Sequence, residues 1–171
     1  AAYVFGVPHD RIGVLIHPQS IVHSLVHYVD GSVLAQMGAP DMRIPISFAL
    51  AWPDRAEINT NRLDLAALGR LTFELPDEQR FPSLALARAA LQAGPAHAAA
   101  LSANEVAVAA FLQKQIGFLG ISRVVEEAVA TLRAAEPALM AKTPFSFEEV
   151  LAVDEAARRV AGPIAVRLAA A

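Results

Sequence analysis

The stretch that most constrains this chain is residues 21–29 followed by Asp30-Gly31. Its pattern has period two. His23, Leu25, His27 and Val29 fall on one face, and Val22, Ser24, Val26 and Tyr28 on the other. Asp-Gly is a strong hairpin signal, because a tight type I′ turn needs positive φ at both central residues. The spacing therefore predicts an antiparallel hairpin over residues 20–36. Gly38 and Pro40 close the return strand. Upstream, the apolar run 12–16 is too short for a helix and predicts a buried strand, ended by Pro18.

Beyond Pro40, helical signals dominate. Residues 44–52 are apolar, with Pro45 suited to a first helical turn and Pro53 as a stop. Residues 54–69 are polar and broken, predicting a linker with one short turn at 63–68. Residues 71–75 predict a short strand. Residues 83–93 predict a helix ended by Gly94-Pro95, which leaves His97 in a solvated loop. Ser102 with Glu105, and Ser146 with Glu149, each read as a Ser-x-x-Glu capping box. They open helices over 102–115 and 147–161, with another over 122–135 between them. Gly162-Pro163 predicts a break, then a final turn or two to residue 169. The fold class is α+β: antiparallel strands, then an α-helical bundle. Residues 1–5 read as a last helical turn stopped by Gly6, so the true start is expected to lie upstream.

Composition excludes several function classes. At 171 residues the chain holds one domain, or one with a helical appendage, and 55% hydrophobic residues are ample for a core. A net charge of −3 argues against a nucleic-acid backbone binder. With no cysteine there is no disulfide, thiolate nucleophile or cysteine metal site. No apolar run approaches the ~20 residues of a membrane span, and no signal peptide is visible. The expectation is a cytosolic protein, or a piece of one, acting without nucleic acid or membrane.

His17, His23 and His27 tempt a metal reading, which strand geometry weakens: four residues along one strand is roughly 13 Å, too far for one ion. Surface or satisfied histidines are the alternative. No paired carboxylates sit beside them. No Gly-x-Gly-x-x-Gly, phosphate-binding loop or nucleophile elbow is present.

Four blocks together carry a resemblance. They are His17-Pro18-Gln19-Ser20-Ile21-Val22-His23-Ser24; Tyr28-Val29-Asp30-Gly31-Ser32-Val33-Leu34-Ala35-Gln36; Pro40-Asp41-Met42-Arg43-Ile44-Pro45-Ile46 with Ala51-Trp52-Pro53; and Asn104-Glu105-Val106-Ala107-Val108-Ala109-Ala110-Phe111-Leu112. In this order they resemble the 1-deoxy-D-xylulose 5-phosphate reductoisomerases. Leu101-Ser102-Ala103 departs from the family's Asn-Ala-Ala, and the chain opens about one helical turn after the family's Asn-Lys-Gly-Leu-Glu segment.

The resemblance implies an NADPH- and Mg²⁺- or Mn²⁺-dependent bacterial, cytoplasmic enzyme of non-mevalonate isoprenoid biosynthesis, acting on a sugar phosphate. It implies that residues 1–53 end the catalytic domain, 54–82 form a linker and 83–171 form the C-terminal bundle. It places His23 as a supporting active-site neighbour, and Pro40 and Met42 beside nicotinamide and substrate. It also implies a homodimer through the catalytic-domain sheet. The family's metal ligands, phosphate serines and dinucleotide fold match no position here. This chain alone is therefore expected to bind no cofactor and to turn over no substrate. The competing expectation is a catalytically silent structural or dimerisation module with the same fold.

Overall fold

A computed structural model describes residues 1–141 and 146–170, the Tyr3 side chain excepted. The chain divides into two compact units: one of Ala1–Gly13 with Asp77–Ala171, the other of Val14–Pro76.

The second unit holds the hairpin. β1 (Val22–His27) pairs antiparallel with β2 (Val33–Met37), from Val22 against Met37 to His27 against Val33. The hairpin is as expected, but its turn is not type I′. Tyr28 N–H donates to the Ser32 carbonyl, leaving a three-residue loop in which only Gly31 has positive φ, at 86°. One left-handed residue after a normal turn is the other common hairpin solution. The Asp30 carboxylate fixes it by accepting from the backbone N–H and hydroxyl of Ser32. Those bonds hold the Asp30 pKa below its ordinary value.

The strand predicted at 12–16 is nearly absent. Residues 9–11 form one 3₁₀ turn, and Ile16 alone bridges Glu74, both backbone bonds being 2.9 Å. The strand predicted at 71–75 likewise reduces to that bridge. A single pair with no neighbouring strand cannot extend a ladder. α2 (Arg43–Ala51) and α3 (Leu65–Leu68) complete the unit. Asp64 caps α3, its side chain accepting from the N–H groups of Ala66 and Ala67.

The first unit is helical. After α1 (Ala2–Phe5), stopped by left-handed Gly6, it contains α4 (Ser83–Ala93), α5 (Pro95–Ala100), α6 (Ala103–Leu112), α7 (Phe118–Ala135), α8 (Pro137–Met140) and α9 (Phe147–Ala169). α7 has the clearest apolar stripe. Val124, Val125, Ala128 and Leu132 are buried on the face packed against α6 and α9. From α9, Val153, Ala156, Ala157, Ala161, Ile164 and Ala165 meet them. Arg167 pairs with Glu127, tying α9 to α7. Ser83 and Ser122 share a hydroxyl hydrogen bond of 2.8 Å between α4 and α7.

Three helical expectations need correction. Gly94-Pro95 ends α4 but also starts α5, with Pro95 at its first position, where the missing N–H has no helical partner to lose. His97 is therefore helical, and its Nδ1 is buried without a hydrogen-bond partner. Burial, then the Arg133 charge, lowers its pKa. Gly162-Pro163 does not break α9, which runs through it because Ala161, Ile164 and Ala165 stay buried on either side. The capping box at Ser146 is present, with both reciprocal bonds to Glu149. The one expected at Ser102 is not: Ser102 has helical φ and ψ, and its side chain caps nothing.

Candidate functional site

The site is built on the hairpin and on the corner leading into α2. The strand register slips between Val22 and Ser24, so His23 is an extra residue in β1. The slip redirects its ring. His23 Nδ1 lies 3.3 Å from Gln36 Oε1, and Gln36 is the cross-strand partner of Ser24. His23 thus joins the Ser24 side of the hairpin. It leaves the row of Leu25 and His27 that strict alternation predicts. Its Nε2 is 3.0 Å from the Ser20 carbonyl. A carbonyl can only accept, so Nε2 carries a proton.

Asp41 shapes the corner. Its carboxylate accepts from the Arg43 backbone N–H at 2.9 Å and from the guanidinium through Nε at 3.0 Å and an amino group at 2.6 Å. The Arg43 side-chain bonds, then its backbone N–H, hold the Asp41 pKa below its ordinary value. This fork precedes α2 and leaves Met42, at the helix N-cap, 70% exposed.

His23, Pro40 and Met42 line one cavity of about 620 Å³. The family resemblance puts these three at a site, and here they share a wall. Others on the wall escape sequence reasoning: Ser20, Gln36, Phe48 and Arg55. Gln36 is discoverable from hairpin pairing. Arg55 is not, because it reaches the site across the Trp52-Pro53 turn, laying its guanidinium 4.2 Å over the Phe48 ring. A second cavity of about 450 Å³ shares Phe48 and Arg55 and adds Thr60, Asn61 and Arg62. Gly38 also lines the first cavity, and a Cβ there would meet Gln36, Ile44 and His23 at ordinary contact distances of 3.9–4.0 Å. The wall is mostly apolar, with an imidazole, an amide, an ion-paired carboxylate and a guanidinium. That surface suits a flat, partly polar ring.

The other histidines stand apart. His17 stacks on Phe73, centroids 4.6 Å apart, with Nδ1 bonded to the Thr72 carbonyl. His27 lies on β1 outside the cavity lining. Among the described residues, no group of three or more His, Cys, Asp or Glu could hold a metal ion, and no helix is long and apolar enough to cross a membrane.

Comparison with known proteins gives one consistent result. Residues 37–160 match the family described as DXP reductoisomerase C-terminal domain. The chain is 53% identical over 162 residues to the 1-deoxy-D-xylulose 5-phosphate reductoisomerase of Chlorobium chlorochromatii, covering 94% of this chain and 41% of that protein. It is 53% identical over 165 residues to the Burkholderia lata protein of the same name, covering 96% and 40%. The chain thus spans about two-fifths of the length of these relatives. Among solved structures, the Zymomonas mobilis reductoisomerase in complex with NADPH superposes with a TM-score of 0.82 at 44% identity, over 96% of this chain and 42% of that one. A DOX-P reductoisomerase in complex with NADPH, fosmidomycin and magnesium gives 0.88 at 39% identity, over 96% and 41%.

Proposed function

This chain belongs to the DXP reductoisomerase family, and on that premise we propose that it supplies one wall of the active site and the C-terminal bundle of such an enzyme. The reaction proposed is the NADPH-dependent conversion of 1-deoxy-D-xylulose 5-phosphate to 2-C-methyl-D-erythritol 4-phosphate, in the bacterial cytoplasm. The observation that carries the reading is the convergence of His23, Pro40 and Met42 on one cavity. In this reading residues 1–53 complete the catalytic domain, 54–82 link it onward and 83–171 form the bundle.

The chain's residues fit one part of the cofactor. Met42 and Pro40 offer an apolar, polarizable edge for the nicotinamide ring. When bound, the cofactor supplies the hydride. No Gly-rich turn is available for its diphosphate, so the rest of the cofactor falls to other parts of the enzyme. The described residues do not fit a divalent ion, and no step is assigned to one. The residues present bind and orient. Met42 and Pro40 hold a flat ring, His23 presents a polar edge, and the Asp41–Arg43 fork keeps the corner in shape. The exposed apolar residues Val26, Tyr28, Val33 and Leu34 on the hairpin support a homodimer through the sheet.

The test compares two proteins: the product of the complete gene, and these 171 residues. NADPH oxidation is followed with deoxyxylulose phosphate and Mg²⁺ or Mn²⁺, and NADPH binding by calorimetry. Turnover is expected from the first and neither turnover nor binding from the second. Turnover, or micromolar NADPH binding, by the 171 residues would show that the chemistry lies elsewhere. Absence of turnover in the complete product would favour the silent structural module.

A further inference from the structure

The Pro18-Gln19 turn is the part of the histidine motif that the proposed chemistry leaves unused, yet it makes long-range contacts. All three polar groups of Thr72 are taken up by it. The Thr72 N–H donates to Gln19 Oε1 at 3.2 Å, its hydroxyl accepts from Gln19 Nε2 at 3.1 Å, and its carbonyl accepts from His17 Nδ1 at 2.7 Å. The His17–Phe73 stack and the Ile16–Glu74 bridge extend the same junction. Ile16, His17 and Gln19 are thus zipped to Thr72, Phe73 and Glu74, more than fifty positions away.

The junction holds a conformation that the chain does not favour. Ser20 has φ 51°, in the left-handed region disfavoured for a residue with a Cβ. Its N–H closes the turn on the His17 carbonyl at 3.0 Å. In that orientation the Ser20 carbonyl receives His23 Nε2. The proton on Nε2 is thereby fixed, and Nδ1 is left as the nitrogen facing Gln36 and the cavity. The Gln36 amide can serve either state of Nδ1. Its oxygen accepts from a protonated Nδ1, and its amino group, after a half-turn, donates to a neutral one.

We propose that Gln19 and Thr72 are positioning residues for His23. Their latch sets the Ser20 turn, and the turn holds the imidazole as its Nε2–H tautomer with Nδ1 as the proton-exchanging atom of the cavity. The placement of His23 rests on the geometry alone. Its importance for turnover rests on the reductoisomerase reading.

The experiment measures the His23 tautomer in this chain by long-range ¹H–¹⁵N correlation, in wild type, Gln19→Leu, Thr72→Val and Thr72→Ser. Wild type and Thr72→Ser are expected to show Nε2–H alone. Gln19→Leu and Thr72→Val are expected to show the mixture of an untethered ring. Should Gln19→Leu unfold the hairpin, Thr72→Val decides, since it keeps the backbone bonds and the side-chain volume. A single Nε2–H tautomer in Thr72→Val, with hairpin amide shifts unchanged, overturns the proposal. In the complete gene product, Thr72→Val should lower kcat about tenfold, below the 10²–10⁴ typical of a group that transfers the proton itself. The KM for NADPH should stay unchanged, and Thr72→Ser should restore the rate. Equal changes in kcat and KM would overturn the catalytic part. An inactive wild type would defeat the functional reading while leaving the tautomer result standing.

Discussion

The helical unit and the hairpin unit hold themselves together by different means. The helical unit has an interior in which Leu132, Val124 and Val153 are fully buried. In residues 14–76 the one buried residue is Ile21, while Val29, Leu50 and Trp52 stand in the open. Order there leans on polar latches, three of them local, Asp30 on Ser32, Asp41 on Arg43 and Asp64 on the start of α3, and one long-range, Gln19 on Thr72. A core spreads each contact over many neighbours. A latch depends on two or three atoms. Volume changes should therefore damage one unit, and removal of single polar atoms the other.

The sharpest test of this contrast is Leu132→Ala. It should destabilise the helical unit by about 2–5 kcal/mol, the range for truncating a buried leucine. Thermal unfolding followed by circular dichroism measures the loss, and hairpin amide shifts at 25 °C should not move. If hairpin and helices melt together at the same lowered temperature, the two units are not separately supported and the contrast fails.

A smaller effect separates the two Ser-x-x-Glu sequences. Ser146→Ala should cost about 1 kcal/mol, as for other N-caps. Ser102→Ala should cost none of that capping energy. Urea titration of both variants measures the difference, and equal losses would mean that both boxes form in solution.

For the latch-built unit, Met42→Ala in the complete gene product should weaken NADPH binding by on the order of 1 kcal/mol. Substrate affinity and thermal stability should hardly change. Equal loss for both ligands would remove Met42 from the nicotinamide.

The smallest effect is a pH dependence confined to the helical unit. His97 is held below its ordinary pKa, so the unfolded chain takes its proton first. Its contribution to stability is complete above the ordinary histidine pKa and is lost as pH falls through the lower folded value. His97→Gln should flatten that part of the stability profile between neutral and mildly acidic pH. An unchanged profile would place the ring in solvent.

Much of this fold is legible in the sequence, and the misses share a cause. The hairpin is visible because period-two alternation and Asp30-Gly31 are local signals. The loop type is not, since either turn puts Gly31 at positive φ, and cross-strand bonding between Tyr28 and Ser32 decides. Ser146 caps as its sequence suggests because its backbone is extended, φ −81° and ψ 167°. Ser102 comes after α5 almost without interruption, at φ −58° and ψ −18°, and from there its side chain cannot turn back to the Glu105 N–H. Pro163 suggests a break because its effect on the helix ladder is local, whereas the burial that carries α9 past it is tertiary. At the cavity, His23, Pro40 and Met42 are nameable from the resemblance. Phe48 and Arg55 meet across a proline turn, and no periodicity announces that.

The alanines of the helical core restrict how this part of the chain can vary over evolutionary time. Among the described residues, ten of the seventeen buried in that core are alanine: Ala96, Ala100, Ala103, Ala107, Ala110, Ala128, Ala156, Ala157, Ala161 and Ala165. Each is hemmed in from both sides. A step up to valine adds methyl groups where helices already touch, and overpacking of this kind costs about 1–3 kcal/mol. A step down to glycine loosens the backbone at about 1 kcal/mol per residue. Drift at these positions therefore has to come in compensated pairs, one helix yielding volume as its neighbour gains it. The outward faces of the same helices remain free to change one residue at a time.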